Sequence, residues 1–333
     1  MNPKNQKLNI NYPAAYVVNG RNNIISIIKL PNNTVSKTKK LEELSDPNHG
    51  AVNRTSGISC PHHININSFK TQVAIGVYGM DLSGDHTGGI MGMNGKIATA
   101  NAVTSVVTKI IDLPVSKYNA IFSPYGSKIW TSQMQEMDEV LAYDATTNVL
   151  KNTINIKIEA SEVTFYLDYS IAFIANGGSD TVTAISVSYK MVKGQINVGN
   201  DPVGAWTDIE GNMYVDDEAD ESIIVKKVSD MSVTTTLALG FMPEKAACDN
   251  VMSELWVTDY DNGKTHRYTK SGTTYSHSEE FITGDGAHAI PFRVHEMTDY
   301  VTNQSANSNY EADVMNHTQT KEISVGTSPM VLL

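Results

Sequence analysis

The chain is poor in cysteine, in positive charge and in long apolar runs. Its two cysteines, Cys60 and Cys248, are too few for a disulfide framework and leave the redox compartment open. Lysine and arginine total 25 against 36 acidic residues, a net charge of −11. Such a chain repels a phosphate backbone, and no basic patch offsets this, so no nucleic acid partner is expected. No apolar stretch approaches the roughly 18 residues of a membrane helix, so no membrane span is expected either. The opening residues, Met1 to Gly20, hold no apolar segment ahead of a cleavage site, so no signal peptide is expected, and a mature secreted chain would look the same. A Gly-x-Ser-x-Gly elbow, a P-loop, a dinucleotide fingerprint, CxxC and CxxCH are all missing. Their absence argues against serine hydrolase, NTPase, Rossmann and covalent haem chemistry.

A repeat fills the chain instead. One short apolar phrase recurs: Tyr16-Val-Val-Asn19, Ala74-Ile-Gly-Val77, Trp130-Thr-Ser-Gln133, Phe173-Ile-Ala-Asn176, Tyr214-Val-Asp-Asp217, Trp256-Val-Thr-Asp259 and Tyr300-Val-Thr-Asn303. Successive starts lie 58, 56, 43, 41, 42 and 44 residues apart. A period of about 40–45 residues is the length of a four-stranded propeller blade. Around each phrase, valine, isoleucine, threonine and aromatic residues at period two are bounded by Gly, Asn, Asp and Pro, which are strand and turn signals. No stretch sustains a helical period.

The pattern predicts an all-β protein: a seven-bladed β-propeller of four-stranded blades in one domain spanning residues 1–333. The chain starts on a second-strand phrase at Tyr16 and ends on Thr327-Ser-Pro-Met-Val-Leu-Leu333, an inner strand with nothing after it. The C-terminal strand is therefore expected to complete the N-terminal blade and remove the open edge.

Tyr300-Val-Thr-Asn303, the run from Asp313 to Pro329 and Asn176-Gly-Gly-Ser-Asp-Thr-Val182 resemble the YVTN-repeat β-propeller family over nearly the whole chain. The family's usual Ser-Pro-Asp-Gly turn reads Ser123-Pro-Tyr-Gly126 here and Val294-His-Glu-Met297 in the last blade. The resemblance implies a periplasmic or secreted binding or surface protein.

In a propeller, the residues that open the inner strands ring one mouth of the central channel. Counting back from each phrase places His62, Tyr118, Ser161, Val203, Glu244, His288 and Met330 there. In ring order His288, Met330 and His62 are neighbours, Glu244 flanks them, and His63 follows His62. Imidazole and thioether donors favour copper, and zinc accepts histidines with a carboxylate. A mouth histidine that merely bonds water or a carbonyl, and a methionine that merely packs, are the plain alternatives. Two long loops, at about 46–61 and 80–95, are expected on the same face. The second carries Asp81, Asp85 and His86 among five glycines, and long loops on a rigid scaffold often carry function. A flexible surface loop is the alternative, and His86 joins the candidate metal ligands if the loop folds over the mouth. The acidic run Asp216 to Glu221 reads as a solvated turn, and His49, His266, His277, His295 and His317 read as surface residues.

Three functions follow. The first is an extracytoplasmic binding or interaction module that takes a protein or small-molecule ligand on the looped face, with a candidate copper or zinc site at the mouth. The second is a metal-dependent oxidoreductase, since nitrous oxide reductase and the haem-binding propeller of bacterial nitrite reductase resemble this architecture. The third is a propeller lactonase, for which Glu244 with His288 is the adjacent acid–base pair.

Overall fold

Period-two segments of β-branched and aromatic residues form short strands, and the turn residues between them lay each strand antiparallel beside the last. The computed structural model describes all residues except 1–9, 31, 42–57, 80–93, 105, 116–118, 134–136, 157–158, 167, 250–251, 291–297, 317 and 333. Its strands make seven antiparallel sheets in a ring, a seven-bladed β-propeller as the repeat predicts.

Blade 2 runs outward from the channel through Pro61–Ile66, Gln72–Val77, Lys96–Asn101 and Val107–Asp112. Blades 3 to 6 repeat this order from inner strands Ile121–Phe122, Ala160–Phe165, Pro202–Thr207 and Pro243–Asp249. In blade 7 the strands Thr298–Asn303, Ser308–Asp313 and Thr318–Ser324 form the ladder. The segment 283–290 takes the inner place there, through the bridge from Ala287 to Asn303 and a bond of 2.8 Å from the His288 amide to the Thr302 carbonyl. Blade 1 is closed as expected: the C-terminal strand Pro329–Leu332 pairs with Ala14–Asn19, with Leu332 opposite Val17 and Pro329 opposite Asn19.

The repeated phrase is the second strand of each blade, and its alternation builds the core. Its first residue packs toward the following blade and its second toward the preceding one. Trp256 thus joins the blade 7 side chains Val301 and Tyr310, while Val257 joins Tyr214 and Ile223 of blade 5. Tyr300 likewise meets Ala15 and Val17 of blade 1. Seven apolar clusters result, one at each contact between blades. Full burial of one Phe- or Leu-sized side chain contributes about 1.5–3 kcal/mol, so these clusters hold the ring together.

The polar end of the phrase has its own duties. The third residue, where it is Thr or Ser, bonds the inner strand of the following blade: Thr258 Oγ1 donates to the His288 carbonyl at 2.8 Å, and Thr302 Oγ1 to the Met330 carbonyl at 2.8 Å. Ser132 Oγ donates to the Ser161 carbonyl in the same way. The fourth residue, where it is Asn, is buried, and in blades 1 and 4 it caps the turn: Asn176 Nδ2 donates to the Thr181 carbonyl and Asn19 Nδ2 to the Ile24 carbonyl. The mouth residues are therefore fixed by the blade before them as well as by their own.

Candidate functional site at the channel mouth

The inner strands share a defect where the mouth residues sit. Register between first and second strands shifts between Pro61 and His63, between Ala160 and Val163, between Pro202 and Ala205, and between Pro243 and Lys245. The closing strand shifts likewise opposite Val17 to Asn19. A bulge leaves an extra residue outside the ladder and re-aims its side chain. The residues it releases are His62, Ser161 with Glu162, Val203 with Gly204, Glu244, and Met330. Counting from the sequence therefore lands on the bulges.

The structure brings His288, Glu244, His62 and the Met330 backbone together. His288 Nε2 lies 3.0 Å from Glu244 Oε1, and both side chains are buried. On the other side of the ring, Nδ1–H of His288 donates to the Met330 carbonyl at 3.1 Å. Since that carbonyl can only accept, the contact places a proton on Nδ1 and turns Nε2 toward Glu244. The His62 ring stands edge-on to His288 with centroids 5.8 Å apart. Met330 offers this site its carbonyl, while its side chain lies in the apolar cluster between blades 1 and 2 and its Sδ accepts from Gln304 Nε2 at 3.0 Å.

Below the mouth lies a second layer that sequence counting missed. Glu162 Oε2 accepts from Lys245 Nζ at 2.9 Å and from the Trp206 indole N–H at 3.0 Å. Lys245 also stands 4.3 Å over the Trp206 ring. Burial pushes the Glu162 carboxyl up, but Lys245, His63 and the two hydrogen bonds outweigh it and hold the group below the usual carboxylate range. His63 thus acts in this layer rather than beside His288. Gly204 permits it, because a Cβ there would stand 2.0 Å from the Trp206 ring. In the sequence, the only signal is that Glu162 and Lys245 each follow a counted mouth residue, and a bulge can turn two successive residues inward.

The acidic run beside the mouth is a solvated turn only in its second half, where Ala219, Asp220 and Glu221 are exposed. Asp216 and Asp217 are fully buried and Glu218 nearly so. Burial, reinforced by neighbouring carboxylates, pushes Asp217 to about 7 and Glu218 to about 9, and Asp216 well above its ordinary value. Glu218 feels Glu244 and Asp201, while Asp216 feels Glu218 and Asp217 and accepts from the Gly204 amide. Of these groups it is Glu218 that stands beside Glu244 and keeps its proton at neutral pH. The first half of the run escaped the turn because Asp216 and Asp217 are the last two residues of the buried second strand Asn212–Asp217.

As for metal, His288 and Glu244 are the two donors in contact at the mouth, with Nδ1 of His288 tied back as a ligating imidazole requires. His62, His288 and Glu244 do not bring three donor atoms within 4.8 Å of one another; among the described residues, His266, His277 and Glu280 do. His266 is buried rather than on the surface. His86, Tyr118, most of both long loops, and His49, His295 and His317 lie outside the described residues.

No family model matches the chain, and no curated protein matches it by sequence. Solved structures of the same fold do. The periplasmic gluconolactonase of Pseudomonas aeruginosa aligns at a TM-score of 0.70 with 12% identity over 96% of this chain and 98% of that one. A functionally unknown protein from Desulfotomaculum acetoxidans aligns at 0.72 with 11% identity over 95% and 98%. The dihydro-heme d1 dehydrogenase NirN aligns at 0.67 with 8% identity, over 98% of this chain and 75% of that one. At such identities the likeness is one of fold, and the fold they share with this chain is the β-propeller.

Proposed function

We propose that this chain is an extracytoplasmic, YVTN-like β-propeller that binds a polar small-molecule ligand at the channel mouth. The observation that carries the reading is the buried His288–Glu244 contact at 3.0 Å, with its anchor on the Met330 carbonyl. Such a pair can donate to or accept from a ligand without reorganising, because the ring fixes it beforehand. The Glu218 carboxyl, pushed up to about 9 by burial and by Glu244, keeps the mouth from becoming strongly anionic, which suits a ligand rich in hydroxyl and carbonyl groups. A copper or zinc ion at the mouth would be held by His288 and Glu244 with His62 beside them, and would supply Lewis acidity toward the ligand.

The same pair favours a second reading, lactone hydrolysis. The pair would take a proton from water as the water oxygen bonds the lactone carbonyl carbon. It would return that proton to the ring oxygen as the carbon–oxygen bond breaks, so atoms and charge balance. A periplasmic gluconolactonase shares this fold, so gluconolactone is the natural probe. Calorimetric titration with gluconolactone is expected to give binding in the parent that His288→Ala and Glu244→Gln both abolish. Binding that survives both changes, or none in the parent, overturns the mouth as the site. Acid release from gluconolactone at constant pH, lost in Glu244→Gln, identifies hydrolysis, and none above background in the parent ends that reading.

A further inference from the structure

The outer half of blade 6 gathers a second set of donors, far along the sheet from the channel. His266 lies on the third strand, Lys264–Ser271, and His277 and Glu280 lie on the fourth, Thr274–Ile282. His266 sits directly opposite Glu280, and Tyr268 opposite His277. In a regular strand, residues 277 and 280 would face opposite sides of the sheet. Here the register shifts between Arg267 and Tyr268, leaving Ser278 unpaired in the ladder, with its Oγ donating to the Arg267 carbonyl at 3.0 Å. That extra residue reverses the parity and puts His266, His277 and Glu280 on one face.

The three donors converge. His266 Nδ1 lies 3.4 Å from His277 Nε2 and 3.5 Å from Glu280 Oε2. All three atoms lie within 4.8 Å of one another. Ligands 2.0–2.1 Å from a tetrahedral zinc stand about 3.4 Å apart, the spacing His266 already keeps to both partners.

The surrounding groups prepare the donors. The His266 ring is buried and stacks on Phe241, centroids 4.1 Å apart at 20°. Its Nε2 faces Asp259 Oδ2 at 3.3 Å, and Asp259 is itself fixed by the Asn262 amide and side chain. A carboxylate that accepts from Nε2–H leaves Nδ1 as a bare lone pair turned toward the other two donors, the arrangement of a carboxylate–histidine–zinc triad. The other Glu280 oxygen, Oε1, is held by Lys264 Nζ at 2.6 Å, which turns Oε2 inward. His277 and Glu280 are exposed, so an ion has a way in. His277 also lines a groove of about 470 Å³ between the outer strands of blades 5 and 6, bounded by Thr235, Leu237, Tyr268 and Tyr275.

We propose that His266 Nδ1, His277 Nε2 and Glu280 Oε2 bind one zinc ion on the outer face of blade 6, with Asp259 as the group that orients His266. Two imidazoles and one carboxylate suit zinc, and three protein ligands leave its fourth position to water on the side of the groove. The ion cross-links the third and fourth strands where the bulge interrupts their ladder.

Chelator-stripped protein titrated with zinc by calorimetry tests this. One zinc per chain is expected in the parent. His277→Ala, a change at an exposed side chain, and Glu280→Gln should each weaken binding at least tenfold, while His288→Ala at the channel mouth should leave this site unchanged. Acid should weaken binding, because protons compete with zinc for the imidazole and carboxylate donors. Zinc-edge anomalous scattering from a zinc-soaked crystal should put the ion between the three named atoms. The proposal is overturned if the parent takes up no zinc, if His277→Ala and Glu280→Gln bind it as the parent does, or if the zinc is lost on His288→Ala.

Discussion

Replacing Glu218 by Gln tests whether the acidic run is as deeply buried as the fold requires. Burial, with the nearby Glu244 and Asp201 carboxylates, pushes the Glu218 carboxyl up from 4.5 to about 9. Between those values the folded chain keeps a proton that the unfolded chain has released. The folded state binds more protons there, so stability falls as pH rises from about 4.5 toward 9. The slope is about 1.4 kcal/mol per pH unit, or roughly 4 kcal/mol between pH 5 and pH 8 for this one group. Glutamine keeps the shape and a donor but has no proton to lose. Urea unfolding at pH 5 and pH 8 should therefore show the parent losing roughly 4 kcal/mol more than Glu218→Gln over that range. Asp217 contributes a similar decline to both proteins, whereas Asp216 is coupled to Glu218, so the difference reports Glu218 together with that coupling. Equal pH dependence in parent and variant would refute the argument that this carboxyl is held protonated by burial.

Two further changes probe the channel. Lys245→Met removes the cation from buried Glu162 and leaves the carboxylate with the Trp206 indole, so destabilisation of roughly 3–5 kcal/mol is expected by urea unfolding at pH 7. Lys245→Met with Glu162→Gln should recover much of that loss, and failure to recover would mean that packing rather than charge explains it. Thr258→Val deletes the donor to the His288 carbonyl at constant shape, and a loss of about 1 kcal/mol is expected. It should also weaken mouth-ligand binding more than it shifts the melting point of a ligand-free sample, and an unchanged affinity would show that His288 does not depend on this anchor.

The blades were legible because each is short-range. A period-two run between turn residues specifies a strand and its neighbours within about 40 residues, and the repeat multiplies the signal seven times. The C-terminal closure was legible for the same reason, since a propeller with one inner strand missing at its start has one place to find it. Counting reached His62 and Glu244 because each sits at the register shift of its inner strand, and reached His288 by the same spacing in the segment 283–290. What the count could not give was direction. Met330 reached the right place, yet its sulfur went to Gln304 and the core while its carbonyl met His288. His63 and Glu162 act together although 99 residues separate them, because the ring, not the chain, makes blades 2 and 4 face a common channel.

The acidic run and the blade 6 histidines mark the boundary most clearly. Six residues rich in Asp and Glu read as a turn because charge favours solvent, yet two of them are the end of a strand whose burial the ring dictates. His277 and Glu280 stand three apart, a spacing that separates them in any regular strand, and only the bulge against Arg267 and Tyr268 joins them to His266. The amino-acid sequence by itself determined the number of blades, their strand order and the closure, since these depend on local alternation and turns. Tertiary structure alone decided which side chains pair across blades, which carboxyls burial pushes up and which donors converge, because those outcomes depend on distances between blades and on the water each blade excludes from the next.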